Sequence, residues 1–398
     1  NNVTQPPANN TQLNTNFISG VFEASSEFKD ACETPRSGNS FSDYLGSELT
    51  EKQWLRSWSN ETYLWYDEIT DVNPNLNYDK FQYFDLLKTN AISPSGNPRD
   101  KFHFTYSTEE WEQLSQSGVS LGYGVKWIFG SSTPPRDLHV AYVEPGSSAE
   151  NAGLVRGMRV MEVDGVDFVN GATTEIINTL NAGIFPSSGA EIHTFGMLAQ
   201  GATDTGTYPQ FSLTSGNVTS SPVLVNDIIN TPTGDVGYLV FNDHIATAEL
   251  VLGNAIVGFS ASSVTDLILD LRYNGGGLLA IASQLAYMIA GDANTVGRTF
   301  EETQFNDKSS GANTTFPFID ETLGFSAASG QNLPSLDLNR VYIITGSRTC
   351  SASEAIINSL NGIGVEIILI GDTTCGKPYG FQPQDNCGTT YFTIQFKG

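Results

Sequence analysis

Thr345-Gly-Ser-Arg-Thr-Cys-Ser-Ala-Ser-Glu-Ala-Ile-Ile-Asn-Ser-Leu360, followed by Asp372-Thr-Thr-Cys-Gly-Lys-Pro378, is the stretch on which the reading of this chain turns. Val341 to Ile344 before it is apolar and β-branched, which predicts a buried strand. After it Ala352, Ile356, Leu360 and Ile363 recur at helical spacing. Ser351 therefore falls at a helix start, where unpaired backbone N–H groups and the helix dipole favour developing negative charge. A second apolar strand, Val365 to Ile370, delivers Lys377 on a Gly-Lys-Pro turn. A serine at a helix start with a lysine on the next loop is the equipment of a Ser-Lys hydrolase, because a desolvated lysine can take the serine's proton near neutral pH. The competing reading is structural: Ser351-Ala-Ser-Glu354 is also a capping box, which ties down a helix end without any chemistry.

Composition narrows the field. The chain has 398 residues, enough for two or three domains, with 39% hydrophobic residues and 39 glycines, as expected of a strand-containing globular protein. A net charge of −24 opposes binding to nucleic acid or to anionic membrane surfaces. No run of about 18 apolar residues predicts a membrane span. The polar start, Asn1-Asn-Val-Thr-Gln-Pro-Pro, suits a mature exported protein or a lipoprotein whose lipid tether lies upstream. The four cysteines are Cys32, Cys350, Cys375 and Cys387, with no C-x-x-C and no histidine pair at zinc spacing, so neither a metal nor a cofactor is expected. Cys375 and Cys387 flank the Lys377 loop, and a disulfide between them would clamp it; free thiols are the alternative.

Residues 1–40 are rich in Asn, Thr, Ser, Gly and Pro and read as a linker or loosely docked arm. Over 41–112 the pattern turns helical, with Trp54, Trp58, Leu64, Trp65 and Ile69 as a small core. Residues 113–220 differ: Gly122-Tyr-Gly-Val125 opens a strand, and Glu144-Pro-Gly-Ser-Ser-Ala-Glu-Asn-Ala-Gly-Leu-Val-Arg-Gly-Met-Arg-Val-Met-Glu-Val-Asp-Gly165 runs turn, short helix, strand and Asp-Gly turn. This segment closely resembles a PDZ domain of the bacterial protease-associated kind. By that resemblance Gly122, Tyr123, Gly124 and Val125 form the carboxylate-binding loop, and a peptide adds as a strand to the sheet edge. From 221 to 398 a new core begins, and Val264 to Leu271 is a buried strand ending in Arg272-Tyr-Asn-Gly-Gly-Gly277. No P-loop pattern accompanies those glycines, which can instead turn backbone N–H groups toward an oxyanion.

Asp270-Leu-Arg-Tyr-Asn-Gly-Gly-Gly277, Thr349-Cys-Ser-Ala-Ser-Glu354 and Thr374-Cys-Gly-Lys377, together with the PDZ-like segment, resemble the C-terminal processing peptidases, PDZ-bearing Ser-Lys proteases, over roughly residues 45–398. The resemblance implies a crotonase-like α/β core with an inserted PDZ domain and a small N-terminal helical region. It implies Ser351 as nucleophile, Lys377 as general base, and Gly276 with the Ala352 N–H as the oxyanion hole, with Ser353 and Glu354 as structural caps. Substrates would be proteins or peptides with unstructured C-termini, in the periplasm or cell envelope; oligomeric state is left open. The chain departs from the pattern in three ways. Gln382 stands five residues after the lysine, where the family has a glutamine at four. Cys350 and Cys375 adjoin the catalytic positions. The chain stops at Phe396-Lys-Gly398 inside an apparent strand, which points to truncation or to missing C-terminal elements. Two rival readings follow: a catalytically silent peptide-binding scaffold, and a Ser-His hydrolase with His103 as base. His103 lies one residue off the family's Asp-x-His position, which in a strand reverses its face. His139, His193 and His244 are expected to be structural or solvated.

Overall fold

The computed structural model describes residues 13–38, 40–94 and 96–398. The chain folds into two compact units and passes between them more than once. One unit comprises the chain up to Trp111 with Glu301–Phe316 and Pro378–Gly398; the other comprises Glu112–Phe300 and Pro317–Lys377. One boundary falls at Trp111–Glu112, whereas Glu301–Phe316 and Pro378–Gly398 group with the first unit rather than with the rest of 221–398.

The first unit is built on the helix Glu48–Thr62. Ser47 and Thr50 cap it reciprocally, each side chain bonding the other's backbone N–H at 3.2 and 2.8 Å. Trp54 and Trp58, four residues apart, stack at 5.0 Å and pack with Phe28, Tyr83, Phe84 and Tyr391. The helix stops at Tyr63, so Leu64, Trp65 and Ile69 lie beyond it, each half-buried. Tyr391 comes from the strand Thr389–Phe392, which pairs with Phe104–Ser107.

The loosely docked arm is not observed over the described part of 1–40; residues 1–12 lie outside it. Cys32 is fully buried and disulfide-bonded to Cys387, Arg36 bridges Asp43 and Asp385, and the Gly20 N–H donates to Asp71. Polar composition misled here because the anchoring groups are themselves polar. The second disulfide joins Cys350 to Cys375, so the expected Cys375–Cys387 bridge does not form. Its two cysteines fall in different units, each with a closer partner.

The second unit begins with an antiparallel sheet. Its elements are β1 (Val119–Gly122), β2 (Val125–Ser131), β3 (Asp137–Val143), helix α1 (Ser148–Ala152), β4 (Arg159–Val163), β5 (Val166–Asp167), helix α2 (Thr174–Ile184), β6 (Ile192–Leu198), β7 (Gln210–Thr214) and β8 (Gly216–Thr219). The order β7-β6-β4-β3-β2 leaves β2 at an edge, and β8 pairs with β1. Leu138, Val140, Val160, Val163, Phe168, Leu180 and Phe195 form the core of this layer.

A five-stranded sheet follows: β9 (Val223–Thr231), β10 (Gly234–Phe241), β11 (Asp266–Asp270), β12 (Arg340–Thr345) and β13 (Glu366–Gly371), in that order. Helices α3 (Ala248–Ala261), α4 (Leu279–Ala290) and α5 (Ala352–Gly362) connect its strands. Only β9 is antiparallel to its neighbour. Leu239, Phe241, Leu267, Leu269, Val341 and Ile343 are buried, as near-continuous apolar runs in a covered parallel sheet require. β13 is an edge strand with Leu369 and Ile370 about half exposed, more open than its apolar sequence predicts.

Candidate active site

Three adjacent parallel strands end side by side and each releases one candidate segment. β11 leads into Asn274-Gly-Gly-Gly277, β12 into Thr349-Cys-Ser351, and β13 into Asp372 to Lys377. The carboxyl ends of parallel strands are where loops of α/β sheets converge on a ligand.

Ser351 stands between β12 and α5 with φ 57° and ψ −117°. For a residue with a Cβ that conformation is strained and persists only if its surroundings hold it. They do. The Cys350 N–H donates to the Asn274 carbonyl at 3.1 Å, as does the Ser353 hydroxyl, and the Thr349 hydroxyl donates to the Leu271 carbonyl at 2.8 Å. The Ser351 N–H donates to Glu354 Oε2 at 2.9 Å, the glutamate half of the expected capping box.

Glu354 does more than cap. Its Oε1 accepts from the Thr374 hydroxyl at 2.6 Å and the Gly376 N–H at 2.8 Å, and its Oε2 accepts from the Lys377 N–H at 2.9 Å. One carboxylate oxygen thus receives the backbone N–H of both Ser351 and Lys377. The Cys350–Cys375 disulfide joins the same two segments, and the Cys375 N–H donates to the Thr349 carbonyl at 3.0 Å. The serine and the lysine loop are brought together by an acid read from sequence only as a cap, and by a disulfide the sequence reading assigned elsewhere. The signal for that disulfide was present: the two cysteines sit one residue before Ser351 and two before Lys377.

Gly276 lies against the serine. A Cβ there would fall 2.8 Å from Ser351 Cβ and 3.0 Å from the Ala352 nitrogen, and its φ is +94°. Close approach and backbone conformation both require glycine. Ala352 is the first residue of α5, where N–H groups have no intrahelical acceptor. The Gly276 N–H, expected in an oxyanion hole, instead donates to Asn274 Oδ1 at 2.9 Å.

Asn274 is fully buried and also ties the turn to His244: its Oδ1 lies 2.8 Å from His244 Nδ1, and its Nδ2 donates to the Phe241 carbonyl. Burial pushes His244 down to about 4, so it is neutral. It is part of the support under the glycine turn, a role that spacing alone did not show. His103 is also buried, with Nε2 on the Phe84 carbonyl at 2.9 Å and Nδ1 3.3 Å from the Thr393 hydroxyl. Burial lowers it to about 4 as well.

At Gly122-Tyr-Gly-Val125 the carbonyls of Tyr123 and Gly124 accept from the Ala149 and Glu144 N–H groups at 3.0 and 2.7 Å. The Tyr123 hydroxyl donates to the Gly183 carbonyl in α2 at 2.8 Å. Gly124, at φ +78°, has no room for a Cβ, which would lie 2.1 Å from Ser147 Cβ. Toward the glycine turn, Tyr142 and Arg156 contact the Tyr273 ring at 5.8 and 5.2 Å.

Residues 235–388, which contain all three candidate segments, match the profile of Peptidase family S41. That segment is a peptidase family S41 domain. Among curated proteins, the chain is similar to the carboxyl-terminal-processing protease of Picosynechococcus sp., 25% identical over 267 residues, covering 67% of this chain and 56% of the relative. It is also similar to the chloroplastic carboxyl-terminal-processing peptidase 1 of Arabidopsis thaliana, 23% identical over 329 residues, covering 81% and 59%. The chain thus spans little more than half the length of these relatives. In fold it is similar to a crystal structure described as an S41 protease from Bacteroides fragilis, with TM-score 0.63, 22% identity, and coverage of 91% of this chain and 87% of that one. The photosystem II D1 C-terminal processing protease follows at TM-score 0.50, 17% identity, and coverage of 89% and 88%.

Proposed function

We propose that the chain is a serine endopeptidase acting on proteins with unstructured C-termini through a Ser351–Lys377 pair. The observation that carries this reading is the Glu354 carboxylate oxygen shared by the Ser351 and Lys377 N–H groups, beside a serine held at positive φ. Such strain, held by surrounding bonds, is typical of functional positions. Neutral Lys377 takes the proton as Ser351 Oγ attacks the scissile carbonyl, then returns it to the leaving amine. Water hydrolyses the acyl-enzyme by the same exchange in reverse. The Ala352 N–H stabilises the tetrahedral oxyanion. Because the Gly276 N–H donates to Asn274 Oδ1, Gly276 serves by its close approach to Ser351 and Ala352. His103, with both ring nitrogens engaged in the first unit, does not suit the role of base.

Residues 113–220 are read as a PDZ domain inserted before the protease core, with Gly122 to Val125 holding a substrate's terminal carboxylate. The edge position of β2 and the carbonyls of Tyr123 and Gly124, bonded into the 144–149 turn, support strand addition there. Two disulfides that use all four cysteines support an oxidising, exported location. Hydrolysis of an unfolded protein by wild type and Ser351→Ala tests the proposal. The expected result is turnover lost in the variant, and a slower wild-type rate when the substrate's C-terminus is amidated. Turnover that survives Ser351→Ala would rule the serine out.

A further inference from the structure

We propose that the Cys350–Cys375 disulfide is a positioning device for the Ser-Lys pair, so that catalytic competence depends on its oxidation; the inference rests on the Ser351–Lys377 reading. The bridge closes a segment of sequence separation 25 that holds α5 and β13, so it ties the start of the serine elbow to the end of the lysine loop. Besides the disulfide, the loop from Thr374 to Lys377 is held to the elbow side by the Glu354 carboxylate and by the Cys375 N–H on the Thr349 carbonyl. Asp372 bonds to Thr345 further back. All of these are hydrogen bonds, which can open one at a time where a covalent bridge cannot. One residue, Gly376, stands between Lys377 and the loop side of the bridge at Cys375, so slack in the bridge passes directly to the lysine. Cys375, on the loop side of the bridge, is half-buried.

Reduction by a dithiol proceeds in two exchanges. One thiolate of dithiothreitol attacks a bridge sulfur to form a mixed disulfide, and its second thiolate closes the cyclic disulfide. Two electrons and two protons pass to Cys350 and Cys375, which become thiols. Oxidised glutathione reverses the change by two thiol–disulfide exchanges.

The test compares oxidised, dithiothreitol-reduced and re-oxidised enzyme, with Cys350→Ala/Cys375→Ala as the permanently open form. A chelator is present throughout, because the two sulfurs and a Glu354 oxygen lie within 4.8 Å of one another and, once reduced, offer three ligands to a soft cation. Two readouts are taken: kcat and KM for an unfolded protein, and hydrogen exchange of the Gly376 and Lys377 amides. The expected result is a kcat lowered by about ten- to a hundredfold with little change in KM, amide exchange faster by a similar factor, and recovery on re-oxidation. The double variant should match the reduced enzyme, and its kcat should not change with dithiothreitol under conditions in which alkylation shows the buried Cys32–Cys387 bridge intact. Wild-type kcat and unchanged exchange, with thiols at both positions verified by alkylation, would overturn the inference. A loop that loosens on reduction in a protein that hydrolyses nothing in either state would keep the tether and discard the peptidase reading.

Discussion

Ser351 shows how a single residue's backbone can report function. A plain capping serine has extended φ and ψ, as Ser47 does at φ −158°, whereas Ser351 sits at +57°. Keeping it there takes Glu354, Asn274 and a glycine without a side chain. Gly276→Ala adds a carbon 2.8 Å from Ser351 Cβ at φ +94°. It should lower stability by about 1–3 kcal/mol and kcat by about a hundredfold, with the fold retained by circular dichroism. Glu354→Ala removes the acceptor for three backbone N–H groups and one hydroxyl. The expected loss is about 2–3 kcal/mol in urea unfolding, with a larger fractional fall in kcat than in substrate affinity because the lysine loop, not the peptide site, loosens. A kcat unchanged by this substitution would mean that the loop is held by other means.

At the scale of elements, the three loops of the candidate site were legible because each follows an apolar strand and carries its own residue signature. Strands form at Arg340–Thr345, Asp266–Asp270 and Glu366–Gly371, within a residue or two of the expected Val341 to Ile344, Val264 to Leu271 and Val365 to Ile370. What could not be read was everything set by contacts between loops distant in sequence. Glu354 is three residues from Ser351, so its local role as a cap was visible, but its bonds to a loop 20 to 23 residues later were not. The cysteines failed for the same reason: pairing depends on which segments meet in space, and sequence nearness favoured Cys375 with Cys387. The arm before residue 40 looked unstructured, yet Cys32 is buried against a strand end 355 residues away. Opening that bridge by Cys32→Ser should cost about 2–5 kcal/mol. The loss should be read by fluorescence of the Trp54–Trp58 stack during urea unfolding; an unchanged midpoint would show that polar contacts alone anchor the arm.

Across the whole molecule, burial of His103 and His244 makes stability depend on pH. Both are held near 4 by burial, against about 6.5 for an unfolded histidine. Between those values the unfolded chain binds protons that the folded chain does not, so stability falls as pH is lowered through this window. From pH 7 to about pH 5 the loss is about 2 kcal/mol per histidine. Glu144 and Asp243, raised chiefly by burial, work in the opposite sense. His103→Gln should therefore show a pH dependence of unfolding free energy smaller by about 2 kcal/mol over that range, and an equal slope would contradict the burial argument. The central claim is that Lys377 is the base for Ser351. Its most direct test is the pH dependence of kcat/KM for an unfolded protein, from pH 6 to about 10, in wild type and Lys377→Ala. The account predicts a wild-type rate that climbs as the base loses its proton, and a variant reduced to background at every pH. A Lys377→Ala enzyme that retains wild-type turnover and the same rising limb would contradict it.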